Sequence, residues 1–169
     1  MFWFPIPASD RRSIALMVAG VACFSMGVPG FTLLTFMGMI DGDTTNYAWY
    51  VMLALVYLGV LLMVVPSKYN KRHLLALLHV VIFTLVVGIV YANFIPQMRE
   101  MAEEFEENEP DAAASGGLRP TTGTVAHYRN SLVSVLIINA GLMAVLGALF
   151  AITWKRSKGH NGWEDPREV

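Results

Sequence analysis

The stretch SIALMVAGVACFSMGVPGFTLLTFMGMI, Ser13–Ile40, contains no Asp, Glu, Lys or Arg. It exceeds the roughly 20 residues that carry an α-helix across a hydrocarbon core of about 30 Å. Three more stretches repeat the pattern: Thr44–Ser67, His73–Met98 and Asn130–Trp154. The chain is 55% hydrophobic and only 15% charged, and its charges are gathered in blocks between these runs. That combination reads as an all-α integral membrane protein, a four-transmembrane-helix bundle. The expected spans are 13–40, 45–66, 72–96 and 129–154, with tails at 1–12 and 155–169 and an acidic arm and loop at 97–128. The first run reads as a span rather than a cleaved leader, because it is too long for a signal core.

The basic residues orient these spans. Arg11 and Arg12 precede the first, Lys68, Lys71 and Arg72 fill the turn between the second and third, and Lys155, Arg156 and Lys158 follow the fourth. The remaining connections are DGDTTN and the acidic segment, which has only scattered Arg. The positive-inside rule therefore predicts a multi-pass protein with both termini cytoplasmic. The segment MREMAEEFEENE, 98–109, is predicted to continue the third helix outside the membrane, with Met98, Met101 and Phe105 at helical spacing. Pro110 ends that extension, and DAAASGGLRPTTGT reads as loop.

Several classes of chemistry are excluded by composition. Cys23 is the one cysteine, so a disulfide framework, a CxxC pair and a thiolate zinc site within one chain are ruled out. No carboxylate, Lys or Arg lies inside a span, which argues against ion-coupled transport, where buried charge marks the pathway. No nucleotide fingerprint or nucleophile triad is present, so no catalytic residue and no metal ligand set is assigned. No nucleic-acid partner is expected.

Small residues recur at four-residue spacing: Ala15, Ala19, Cys23 and Gly27 in span one, Thr84, Gly88 and Ala92 in span three, Ala140, Ala144 and Ala148 in span four. Such faces let membrane helices approach closely. They are expected to pack within the bundle or onto other integral membrane subunits.

Three polar features stand inside the spans. Tyr57 and His79 lie at similar depth across the short second hairpin, and a hydrogen bond between them, direct or through one water, is expected. They are also the candidate cofactor-binding residues. No two histidines share a depth, so no cofactor is expected within one chain, and a haem or quinone would have to sit at a subunit border. Asn139 is at the depth of Gly27–Pro29. Pro29 lacks an amide hydrogen and its ring clashes with the Ser25 carbonyl, which predicts a kink in the first helix. Asn139 is expected to donate to a carbonyl between Cys23 and Gly27, so that helices one and four pack together and Asn139, Ser25 and Pro29 form one structural contact.

These features favour a non-catalytic membrane subunit or accessory protein. Its contacts would be the lipid bilayer and other membrane subunits, the latter held by the small-residue faces and by Glu100, Glu103, Glu104, Glu106 and Glu107 of the acidic arm. The alternative is an electron-transfer anchor with a quinone or haem pocket around His79. A passive pore or carrier for a neutral solute, suggested by the proline in the first helix, ranks third.

Overall fold

The computed structural model describes residues 8–41, 47–64, 70–108 and 120–160. These form four helices: α1 (Ala8–Ile40), α2 (Tyr47–Val64), α3 (Asn70–Asn108) and α4 (Thr122–His160). Each is long and apolar enough to cross a membrane. Polar residues within them satisfy themselves locally. The hydroxyls of Thr32, Thr35, Thr84 and Ser134 each donate to the carbonyl four residues earlier.

Contacts between helices run in alternating directions. Gly20 of α1 meets Gly59 and Met63 of α2, Gly27 meets Val56 and Met52, and Gly30 meets Met52. At the far end Trp49 of α2 donates its indole N–H to the Thr35 hydroxyl at 2.8 Å. The two helices are thus antiparallel and close along their length. Phe24 touches His79 and Phe83 of α3, Phe31 touches Phe83, and Phe36 touches Phe94, so α1 and α3 are parallel. Phe83 is the hub of this cluster, since Tyr57 also stands edge-on to it at 6.3 Å. Each such aromatic pair adds about 0.5–1.5 kcal/mol beyond the area it buries. α4 packs along α3, with Val87, Met98 and Ala102 of α3 and Val125, Leu132 and Val135 of α4 fully or nearly fully buried.

The helices depart from the sequence expectation in two places. The expected ladder in span one is displaced: Ala15 and Ala19 are exposed, and the face that packs on α2 carries Gly20, Phe24, Gly27 and Phe31. The repeat along this buried face is seven residues, Gly20 to Gly27 and Phe24 to Phe31, the spacing of a helix packed lengthwise along a neighbour. The start of the fourth helix is the second. PTTGT is a helix start rather than loop: Thr121 Oγ1 accepts from the Thr124 amide at 3.2 Å, and the Val125 amide donates to the Thr121 carbonyl at 3.0 Å. This is an N-cap, immediately preceded by Pro120.

α3 continues through Pro96 to Asn108, and its 39 residues span about 58 Å at 1.5 Å each, nearly twice a hydrocarbon core. Its last turns reach the start of α4. The Glu106 carboxylate accepts from the Thr122 amide at 2.8 Å and from its hydroxyl at 3.0 Å, closing the N-terminus of α4 with a carboxylate from another helix. α1 is likewise continuous through Pro29, whose ring is exposed. The loop expected at 111–119 lies outside the described residues, as do the flanks of span two at 45–46 and 65–66.

Candidate functional site

One polar contact joins α2 to α4. α2 and α4 do not approach backbone to backbone, yet Tyr57 reaches across and donates its hydroxyl to Asn139 Oδ1 at 3.0 Å. Asn139 is completely buried, and its Nδ2 has no hydrogen-bond partner among the described residues. An orphaned buried donor costs about 1–3 kcal/mol, so this carboxamide is only half satisfied.

This geometry overturns the expected contact of Asn139 with α1. Asn139 does not donate to a carbonyl between Cys23 and Gly27, and Ser25 and Pro29 both face outward. The reason is occupancy: an added Cβ on Gly27 would lie 2.8 Å from Val56 Cγ2 and 2.9 Å from the Val56 amide nitrogen, so α2 already fills the notch meant for α4. The direct form of the expected Tyr57–His79 bond is not made. Tyr57 is turned to Asn139, and His79 Nδ1 lies 2.8 Å from the carbonyl of Leu75 on its own helix.

A carbonyl can only accept, so in that last contact Nδ1 carries the hydrogen and donates it. The half-buried ring is held edge-on against Phe24, with centroids 4.8 Å apart. A backbone carbonyl fixing one ring nitrogen while the other stays free is the orientation found in histidines that bind metals. A second ligand is missing, and no group of three or more His, Cys, Asp or Glu among the described residues could hold a metal ion. His73 sits buried near the start of α3, and His127 is at the opposite end of the bundle on α4.

The acidic arm divides into two roles. Glu100, Glu103, Glu104 and Glu107 are exposed, and Glu103 accepts from Arg99 Nε at 2.6 Å. Glu106 is half-buried and engaged with Thr122, which gives it an architectural role instead of a place on a free docking face. The small residues of α3 and α4 also face outward: Ala92, Ala140, Ala144 and Ala148 are exposed, and a Cβ on Gly88 or Gly141 would meet nothing within 4 Å.

Two features went unread in the sequence. The Trp49–Thr35 bond pins the far end of the α1–α2 pair, and its signal was a tryptophan and a threonine on opposite sides of one short connection. A groove of about 420 Å³ lies between α2 and α4, lined by Tyr57, Leu61 and Val64 on one side and Ile138, Leu142 and Leu149 on the other. No sequence pattern marks it, because lipid-facing and groove-facing residues are equally apolar. No protein-family model, curated protein or solved structure matches this chain.

Proposed function

We propose that the chain is a non-catalytic subunit of a membrane complex, inserted through all four helices with both termini cytoplasmic. Support for insertion comes from where the apolar surface lies. At most 28% of any helix's apolar window is buried within the chain, leaving Leu85, Ile89, Ile137 and Val145 each more than half exposed. Support for the orientation comes from charge. Arg12 and Lys155 lie at one end of the antiparallel bundle, and Glu100, Glu103 and Glu104 at the other.

The observation that carries the subunit reading is the outward direction of the small residues on α3 and α4. Lipid gains nothing from a glycine or alanine face, whereas a helix can approach it closely and gain van der Waals contact. Extraction in mild detergent followed by native mass measurement tests this. The chain is expected in a complex with other integral membrane chains, and Ala144→Trp is expected to release it while leaving its own helices folded. A strictly monomeric chain, or a complex indifferent to Ala144→Trp, would overturn the reading.

His79 supports a second reading, an electron-transfer anchor in which Nε2 faces a haem or quinone held at a border with another subunit. The visible spectrum of the purified complex decides it. A Soret band lost in His79→Ala supports haem ligation, and a quinone-linked activity lost in the same variant supports a quinone site. A complex with neither leaves His79 as a residue satisfied by Leu75 alone.

A further inference from the structure

The Glu106–Thr122 bond sets the register of α3 against α4. The end of one helix meets the start of the other there, so the two run antiparallel with Glu106 and Thr122 at one level. Seven residues back from Glu106 stands Arg99, and seven on from Thr122 stands Arg129. Seven residues carry a helix through almost two full turns and about 10 Å along its axis. Both arginines therefore return to the side of the seam that the Glu106–Thr122 bond marks, and again at one level. They line a single cleft, with Ile95, Arg99 and Glu103 on the α3 wall and Val125, Ala126 and Arg129 on the α4 wall. Ile95 and Val125 are buried, so the deep part of the cleft is apolar and its polar groups stand at the rim.

Two like charges face one cleft, and only one of them has a counter-charge. Arg99 donates its Nε–H to Glu103 Oε1 at 2.6 Å, one turn along its own helix, which leaves its terminal amino groups unengaged among the described residues. Arg129 meets no carboxylate among the described residues. Its guanidinium makes one long contact, 3.5 Å to Oδ1 of the adjacent Asn130. Of the glutamates on α3, Glu103 alone lines the cleft, so the rim carries an excess of positive charge. The start of α4 adds no free donor at Thr122, because Glu106 already occupies that amide. A guanidinium presents its N–H groups as a planar fork that matches phosphate oxygens two at a time. A carboxylate, with two oxygens, satisfies one such fork, whereas a phosphate has enough oxygens to span two. We infer that Arg99 and Arg129 clamp a phosphate group across the seam between α3 and α4. Depth agrees with this: Arg99 directly follows the charge-free run that ends at Met98, and Arg129 directly precedes the one that begins at Asn130. In the membrane-inserted reading above, that is the level of the outer headgroups. The phosphate then belongs either to a phospholipid or to a soluble phosphate compound arriving from outside.

The test uses the full chain, purified in mild detergent, and two probes. Inorganic phosphate is titrated by calorimetry. Retention of phosphatidylglycerol is compared by native mass measurement with that of diacylglycerol, which has the acyl chains without the phosphate. Arg129→Gln is expected to weaken phosphate-dependent binding about fivefold, the upper end for one exposed charged pair, and Arg99→Gln to do the same. Glu103→Gln, which removes the carboxylate from the cleft and frees Arg99 Nε, is expected to tighten binding. A purely structural Arg99–Glu103 pair would not produce that gain. Circular dichroism checks that each variant is folded. Weaker binding of inorganic phosphate in the arginine variants supports the site with a soluble source, and an effect confined to phosphatidylglycerol supports it with a lipid source. The lipid source alone rests on membrane insertion, which alkaline carbonate extraction judges separately. A chain released by carbonate loses that source and leaves the calorimetry to decide the site. Equal binding by wild type and both arginine variants overturns the proposal. So does weaker binding in Glu103→Gln, or phosphatidylglycerol held no better than diacylglycerol in a chain that also ignores inorganic phosphate.

Discussion

Gly59→Ala adds one methyl group at the closest point of the α1–α2 pair. Built on the existing backbone, the new carbon lies 2.7 Å from the Gly20 carbonyl oxygen, 2.9 Å from the Phe24 amide nitrogen and 3.1 Å from Phe24 Cβ. The first two are backbone atoms of a helix and cannot swing away as a side-chain tip would. The helices must move apart locally, which disturbs the contacts of Gly20 and Met63 on either side. Overpacking of this kind costs about 1–3 kcal/mol. The intrinsic helix preference of Ala over Gly returns up to ~1 kcal/mol, so with the full return the net loss is about 0–2 kcal/mol. Gly141→Ala supplies the same propensity gain with no clash, since nothing lies within 4 Å of its added carbon. Unfolding in mixed micelles, driven by rising SDS and followed by far-ultraviolet circular dichroism, measures both. Gly59→Ala is expected to unfold earlier than wild type and Gly141→Ala at the same point or later. If Gly59→Ala proves as stable as Gly141→Ala, the backbone contact between α1 and α2 is wrong and the fold built on it fails.

Two other changes probe the polar contacts. Tyr57→Phe removes the hydrogen-bond partner that Asn139 has among the described residues and is expected to destabilise by about 1–3 kcal/mol. Asn139→Leu, which removes the orphaned Nδ2 together with Oδ1, is expected to cost under about 1 kcal/mol in line with the small average value of interhelical hydrogen bonds in membranes. The double variant is expected to recover part of the Tyr57→Phe loss, and strict additivity in the same SDS titration would deny the pairing. Glu106→Ala leaves the Thr122 amide without its carboxylate and is expected to cost about 1 kcal/mol. Its signature is faster amide exchange confined to the first turn of α4, and unchanged exchange there would refute the cap.

The number, length and alternation of the helices were legible because they depend on one-dimensional quantities. Absence of charge over Ser13–Ile40 excludes a soluble loop whatever the helix packs against, and short connections such as PSKYNKR leave neighbouring spans antiparallel. Which face of each helix points inward was not legible. In a soluble helix the core face is the apolar one, but here Val145, largely exposed, and Leu146, buried, are chemically alike, so periodicity carries no sign of direction. Small residues could not replace that signal. Depth alone points Gly27 to α4, although α2 at equal depth carries Val56 and Met52 to meet it. Depth matching was sound for Tyr57 and Asn139 individually, and it failed in pairing them because several polar groups share the middle of the bundle. The start of α4 was misread for a different reason. PTTGT holds residues favoured in loops and caps alike, and the cap is completed by Glu106, sixteen residues earlier on another helix.

The two kinds of helix contact in this chain also explain why a groove exists where it does. α1 and α2 are joined backbone to backbone at Gly20 and Gly59, and α3 packs along α4 through fully buried Val87, Leu132 and Val135. Phe83 fills the space between the pairs on the α1–α3 side, with Phe24, Phe31 and Tyr57 around it. On the α2–α4 side no side chain of comparable size faces inward from Leu142 or Leu146, and the walls are bridged once, at Tyr57–Asn139. A bundle packed equally on both sides would need a large residue at Leu61, Leu142 or Val145. The chain places medium-sized aliphatic residues there and outward-facing alanines and glycines beside them on α4. In water such a cleft would be a packing fault. The Tyr57–Asn139 bond is the polar link that holds its two walls together.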